Sequence, residues 1–211
     1  MHRSVIQEVT MLDVITKRKS TRLFDTKKQI DTKDIERMLC AALQAPSPKN
    51  RQPWHFTVIT SEQARMDTAR ILQETLEALK RKRAAVGAAK DDLELANGSV
   101  RAIKTASAVV FVEYIRDIAN EHGDSHIWDL AARPFEVADI QSIGAAIENM
   151  LLEATSSGIS SLWMCDVLYA VPELSAHLGL KHTLIAAVAL GYESVRAMPR
   201  SSITEKVTYF D

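Results

Sequence analysis

Cysteine is scarce in this chain, with Cys40 and Cys165 the two present among 211 residues. They lie far apart and form no metal-ligand pattern. Two thiols can close one disulfide, but they do not make the dense framework of a secreted scaffold, and a reducing compartment is the expectation. An excess of either charge is missing as well. The 26 basic side chains nearly cancel the 27 acidic ones, so nothing predicts a nucleic-acid or membrane surface as partner. No apolar run approaches the ~20 residues of a membrane-spanning helix. Residues 1–10 lack the apolar stretch of a signal peptide, and no internal repeat is visible. These absences point to a soluble, cytoplasmic protein. What the chain does have is a hydrophobic fraction of 46%, ample for one compact domain spanning residues 1–211.

Periodicity alternates between helix and strand along the chain. Thr10 is placed to cap a short helix carrying Met11, Leu12, Val14 and Ile15. A second helix starts near Asp31, with Ile35, Met38, Leu39, Ala42 and Leu43 at helical spacing and Pro46 as its stop. His55 to Thr60 reads as a strand. Ser61 then caps a long polar helix with Ile71, Leu72, Leu76 and Leu79 on one face, and its basic run from Lys80 to Arg83 reads as a solvated face. Ala106 to Ile115 is apolar and β-branched, the pattern of a central strand. Residues 116–134 are polar and irregular, a loop or lid. Glu136 to Ser157 is a long helix with Ile140, Ile143, Ile147, Met150, Leu151 and Ala154, ended by Gly158. Ser161 to Cys165 is a short strand, Pro172 to Leu178 a helix closed by Gly179, and Thr183 to Leu190 another apolar strand. Lys206 to Phe210 alternates like an edge strand. The pattern predicts an α+β domain with a buried sheet and leaves function open.

Two local clusters carry chemistry. Arg18-Lys19-Ser20-Thr21-Arg22 packs three cations and two hydroxyls into five residues. Guanidinium and hydroxyl groups so placed can bind a phosphate dianion through charge-assisted hydrogen bonds. The same run also fits a basic helix end that favours the C-terminal dipole. Downstream, Ala45-Pro46-Ser47-Pro48-Lys49-Asn50-Arg51-Gln52-Pro53-Trp54 separates a helix from a strand. Its amides present donors and acceptors together, which suits the edge of a heterocycle such as a flavin pyrimidine. It equally fits a proline-stiffened connector whose Asn and Gln cap a turn.

Taken together and in order, the clusters resemble the nitroreductase family. The arginine-x-serine-x-arginine run is followed by Pro46-Ser47 with Asn50, Gln52, Pro53 and Trp54. Ser142-Ile143-Gly144 with Ala145, Asn149, Leu152 and Ala154 resembles the family's central helix. Residues 158–164, ending in Trp163 and Met164, resemble its glycine-rich strand, and Leu190-Gly191-Tyr192 followed by Arg200 resembles its C-terminal signature. The match runs from about Thr16 to the C-terminus and is weak over residues 62–104 and 116–135. The resemblance implies a nitroreductase-like α+β fold, with a central mixed, mainly antiparallel sheet flanked by helices. It implies an intertwined homodimer whose C-terminal strand is exchanged, with two flavins at the interface. It implies bound FMN, with NADPH or NADH as electron donor. Arg18 and Ser20 match positions at the FMN phosphate or ribityl chain, with Lys19 nearby, and Arg22 matches the position beside flavin N1 and O2. Pro46, Ser47 and Asn50 match a loop reaching in from the partner subunit, with Gln52 in support. Met164, Cys165 and Asp166 match the strand end where a backbone N–H meets N5, and Arg200 matches a late phosphate contact. A fixed cation at Arg22 would stabilise the charge that reduction places on the N1–O2 edge. No side chain is implied as an acid or nucleophile, since the flavin carries the difficult chemistry.

The chain departs from the family at Cys165, often glycine, and at Glu193, often proline. Cys165 near the flavin narrows the site, is redox-sensitive, or, as the favoured reading, is a small buried apolar residue. The implied activity is hydride transfer from NAD(P)H through flavin N5 to a nitroaromatic, quinone or related acceptor by ping-pong turnover. The alternatives are a specialised member of the superfamily, such as a reductive dehalogenase, an enone reductase or a flavin-destroying enzyme, and a non-enzymatic flavin-binding protein. His122 and His126, with Glu121 and Asp124, read as a polar loop rather than a metal site, because Gly123 interrupts the helix their spacing would need. Trp128 and Phe135 either line an acceptor pocket or pin their loop. His177 and His182 flank a helix end, and Trp163 packs beneath the flavin, in the core, or both.

Overall fold

A computed structural model of the chain describes residues 10–85, 93, 95–115, 134–195 and 208. Helix α1 (Met11–Lys17) starts where Thr10 and Asp13 satisfy each other's backbone N–H groups in a capping box. The Thr10 hydroxyl holds the Asp13 carboxyl below the usual carboxylate range. Helix α2 (Thr32–Leu43) is capped by Asp31 and buries Ile35, Met38 and Ala42. Strand β1 (Trp54–Ile59) leads into α3 (Glu62–Ala85), whose first turn is capped by the Ser61 hydroxyl accepting from the Ala64 N–H at 3.2 Å. Helix α4 (Asn97–Thr105) follows, then strand β2 (Ala108–Tyr114). Helix α5 (Pro134–Ser156) precedes strand β3 (Ser160–Met164), helix α6 (Val171–Leu178) and strand β4 (Thr183–Gly191). Sequence periodicity places all of these except α4 to within a few residues. Helix α4 falls in the stretch where the resemblance is weak, and its N-terminus has no side-chain cap to announce it.

The strands form one sheet in the order β1-β2-β4-β3, with every pair antiparallel. Among the described residues no two strands pair in parallel, so the mixed sheet expected from sequence is not seen there; the one parallel bridge, between Ser20 and Ser161 of β3, is isolated. Helices cover both faces. One core joins α2 and α5 to Ala108, Val110, Val112, Ala186, Val188 and Leu190. The other joins α3, α4 and α6 to Val109, Phe111, Ala187 and Ala189. Successive side chains of a strand point to opposite faces. With both faces buried, β2 and β4 therefore read as continuous apolar runs rather than alternating ones. Among the described residues no helix is long and apolar enough to cross a membrane.

Two buried polar residues tie neighbouring elements together, Glu113 within the sheet and Arg65 between α3 and the sheet. Glu113, fully buried in β2, accepts from the Thr57 hydroxyl at 2.7 Å and the His182 backbone N–H at 3.1 Å. Arg65 of α3, also buried, donates to the carbonyls of Thr60 and, at 3.1 Å, Ser107. Burial pushes the Arg65 guanidinium below its ordinary pKa, and Glu62 opposes the shift.

Candidate functional site

The basic cluster leaves α1 as an extended strip. Arg18 is the C-cap, with φ −59° and ψ 129°, and the chain then runs alongside β3. The Thr21 N–H donates to the Ser161 carbonyl at 2.9 Å, and Thr21 itself is buried. The cluster then divides: Arg18 faces α5, whereas Arg22 lies against Gly98 of α4, and these two helices pack on opposite faces of the sheet. The strip is anchored further on by Phe24, which bridges to Glu193 and packs on Gly191. A Cβ at Gly191 would lie 2.7 Å from the Phe24 ring. Two cations of the cluster already face carboxylates. Arg18 Nε is 3.5 Å from Glu148 Oε1 of α5, and Lys19 Nζ is 2.6 Å from Glu193 Oε2.

Arg22 is exposed and opens into a cavity of about 520 Å³. Asn97, Gly98, Ser99 and Arg101 of α4 form one wall, with Leu95 beside them, and Leu162, Trp163 and Asp166 complete it. The Ser99 hydroxyl donates to the Asp166 carboxylate. A Cβ at Gly98 would sit 3.1 Å from Arg22 Cδ, so glycine there lets the arginine stem lie against the helix. The cavity thus combines two guanidiniums, an amide, a carboxylate and an apolar side, and it can hold a planar group with an electron-rich edge. The wall supplied by α4 is the part of the site that sequence reasoning missed. Asn97 and Arg101 sit in a weakly matching stretch and reach Arg22 only through tertiary packing.

The end of β3 splits into core and site. Met164 is 1% exposed and belongs to the core, so only its backbone can face a ligand. Cys165 is exposed. Although the residue reaches solvent, the protein packed around its sulfur partly desolvates the thiol and pushes it above the ordinary pKa, the Asp166 charge adds to the rise, and a hydrogen bond from Trp163 opposes it. Trp163, 39% exposed, lies beside Gly144 of α5.

The proline-flanked loop is built by its own polar groups. The Gln52 N–H donates to the Ser47 hydroxyl at 3.0 Å, the Gln52 amide to Asn50 Oδ1 at 3.0 Å, and the Asn50 N–H to the Ser47 carbonyl at 3.0 Å. Lys49, Asn50 and Gln52 all have left-handed backbones, with φ of 53°, 55° and 50°. Pro46, Ser47 and Pro48 border a separate cavity of about 300 Å³ against Ala138, Gln141, Ser142 and Ala145 of α5. None of Pro46, Ser47, Asn50 and Gln52 lines the cavity of Arg22. Within one chain the two clusters are therefore not brought into one pocket.

Other residues singled out by sequence fall as follows. Phe135 is 37% exposed at the start of α5, where the guanidinium of Arg51 lies 5.0 Å from its ring centroid. His177 is exposed in the last turn of α6. The His182 ring lies 5.5 Å from that of His55, and its backbone serves Glu113 rather than a helix end. Arg200, His122, His126 and Trp128 lie outside the described residues, as does all of 206–210 except Thr208. Among the described residues no group of three or more His, Cys, Asp or Glu could hold a metal ion.

Known proteins share this fold. The Archaeoglobus fulgidus protein named "Putative NADH dehydrogenase/NAD(P)H nitroreductase" is 29% identical over 188 residues, 86% of this chain and 84% of its own length. A BluB-like flavoprotein from Clostridium difficile is 27% identical and superposes with a TM-score of 0.76 over 97% of this chain and 100% of that one. A nitroreductase from Desulfitobacterium hafniense, solved with bound FMN, shares the fold at 21% identity and a TM-score of 0.70, covering 95% of this chain and 98% of that one. The family model described as "Nitroreductase family" matches residues 15–192, and the chain belongs to the nitroreductase family.

Proposed function

We propose that the chain is an FMN-dependent oxidoreductase that takes reducing equivalents from NADPH or NADH and delivers them to a nitroaromatic, quinone or related acceptor. The observation that carries this reading is the cavity in which Arg22 meets Arg101, Asn97 and Asp166 beside Trp163. Its residues fit a flavin. The close approach at Gly98 clears a path for Arg22 that a Cβ would narrow. The guanidiniums suit an electron-rich pyrimidine edge, and Trp163 with Leu162 supplies an apolar side. FMN, when bound, supplies the hydride chemistry at N5.

The chain's own residues then hold and tune it. Arg22 sets positive charge at the N1–O2 edge, where reduction adds negative charge, and Arg101 and Asn97 complete that end. The backbone from Met164 to Asp166 offers its N–H toward N5. Arg18, Lys19 and Ser20, with Arg200, serve the ribityl chain and phosphate. In this reading Glu148 and Glu193 hold Arg18 and Lys19 in place. Pro46, Ser47, Asn50 and Gln52 act on the partner's flavin, consistent with their separation from Arg22 in one chain. The assembly is a homodimer of single-domain chains with two shared sites, and one site serving donor and acceptor in turn gives ping-pong kinetics. Residues 206–210 pair with the partner's sheet, in keeping with their alternation.

The visible spectrum of purified protein tests this, recorded before and after anaerobic NADPH and then NADH. Flavin bands that bleach support the enzyme. Bands that neither donor bleaches point instead to a flavin-binding protein, and protein that takes up no FMN would sink the reading.

A further inference from the structure

Arg51 lies inside the proline-flanked loop, yet its side chain turns away from it. Arg51 Nη2 is 2.5 Å from Asp139 Oδ1 of α5 and donates to the Phe135 carbonyl at 3.2 Å. The guanidinium also stacks over the Phe135 ring, 5.0 Å from its centroid, and Lys49 Nζ lies 5.5 Å from the same centroid. The Asp139 side chain is 4% exposed, and its second oxygen accepts from the Tyr114 hydroxyl of β2 at 3.4 Å. The Arg51 Nε–H has no acceptor among the described residues, so the contacts through Nη2 carry the ionic part of the junction. A buried carboxylate is strongly destabilised when a partnering cation is removed. One arginine therefore joins the loop to the start of α5 and, through Asp139, to the end of β2.

The loop needs such a tie. Lys49, Asn50 and Gln52 occupy left-handed backbone that side chains with a Cβ rarely adopt. Arg51 alone among these four keeps right-handed geometry, with φ −68° and ψ −26°. The hydrogen bonds among Ser47, Asn50 and Gln52 join the loop to itself, whereas Arg51 joins it to the body of the fold.

We propose that Arg51 and Asp139 form a clamp that holds Asn50 and Gln52 in the conformation that meets the partner's flavin. Arg51 is then a positioning residue and touches no cofactor. The proposal rests on the FMN reading above, and its test keeps the two apart. FMN is titrated into deflavinated full-length protein and followed by fluorescence quenching, for wild type, Asn50→Ala, Arg51→Ala, Arg51→Lys, Asp139→Asn and the double variant Asn50→Ala/Arg51→Ala. Arg51→Ala and Asp139→Asn should each weaken binding about tenfold, ~1.4 kcal/mol. Arg51→Lys should recover only part, because an ammonium lacks the planar fork. The decisive readout is coupling. The loss caused by Asn50→Ala in the wild-type background should vanish once Arg51 is gone, since Asn50 is then no longer presented. A merely structural arginine would lower thermal stability and leave the Asn50 effect intact, so additive losses overturn the clamp while the flavin site stands. If Arg51→Ala does not fold, Asp139→Asn, which conserves side-chain size, takes its place in the same cycle. Asn50→Ala without effect on wild-type binding also overturns the clamp. Wild-type protein that binds no FMN removes the functional reading and the clamp with it.

Discussion

Arg22 differs from its neighbours in the basic cluster by its freedom to act. Arg18 and Lys19 are engaged by Glu148 and Glu193, whereas Arg22 has no ion pair among the described residues and opens into the cavity. A ligand there meets its guanidinium without first breaking a salt bridge. Arg22→Ala should weaken FMN binding by roughly tenfold or more, the worth of a hydrogen bond to a charged group. It should also lower the flavin's reduction potential, because the reduced form carries the negative charge that the guanidinium offsets. Titration and potentiometry of the variant would check both, and unchanged values would remove Arg22 from the site. Cys165 gives a second prediction at this scale. Partial desolvation of the exposed residue's sulfur and the Asp166 charge favour the neutral thiol, so the nucleophilic thiolate accumulates above the ordinary range for cysteine. Alkylation of Cys165 in a Cys40→Ser background should be slow at neutral pH and still rising where an ordinary thiol has levelled off. A rate that plateaus near pH 8 would contradict the assigned environment.

At the scale of elements, the sequence was most informative where a helix has caps and a stripe, or where a strand is long and apolar. Thr10, Asp31 and Ser61 mark the starts of α1, α2 and α3, and Gly158 and Gly179, with φ of 71° and 64°, mark the ends of α5 and α6. Helix α4 had none of these signals. It is nine residues long, begins at an uncapped Ala96 and carries Gly98 in its first turn. Its contribution to the cavity was illegible for the same reason. The pairing of Arg51 with Asp139 spans 88 residues of sequence, and no local pattern encodes it. The two kinds of glycine can be told apart by experiment. Gly158 needs its left-handed backbone and has nothing within 4 Å of a would-be Cβ, so Gly158→Ala should cost ~1 kcal/mol. Gly191→Ala meets the 2%-exposed Phe24 at 2.7 Å and should cost about 1–3 kcal/mol as overpacking. Phe24 also anchors the strip that carries Arg22, so only the Gly191 variant should lose FMN affinity. Denaturant unfolding and FMN titration of both variants decide it, and equal FMN binding would show that Phe24 does not set the position of Arg22.

At the scale of the whole molecule, the two sequence clusters of the proposed site do not meet within one chain. The strip residue Arg22 and the loop residues Pro46 and Ser47 line different cavities. The single chain also leaves apolar surface uncovered. On α1, Val14 turns inward while Met11, Leu12 and Ile15 are 66%, 67% and 48% exposed, and Leu43 at the end of α2 is 47% exposed. Met11 shares a groove with Ala41 and Gln44 of α2 and Leu152 of α5. Apolar side chains gathered in this way suit a contact surface, and a two-fold dimer would bury the same patch on both copies. If that dimer also completes the site, flavin affinity and association are thermodynamically linked, and each must strengthen the other. Leu12→Glu tests the linkage with little risk to the fold, because the side chain is largely exposed in the single chain. Burying a carboxylate at the interface should shift sedimentation toward monomer and weaken FMN binding in parallel, with unchanged far-ultraviolet circular dichroism. In the wild type, FMN occupancy should fall on dilution through the dimer's dissociation range. A monomeric Leu12→Glu chain with full FMN affinity would show that each chain builds its site alone. An undisturbed dimer would instead place the α1 face outside the interface.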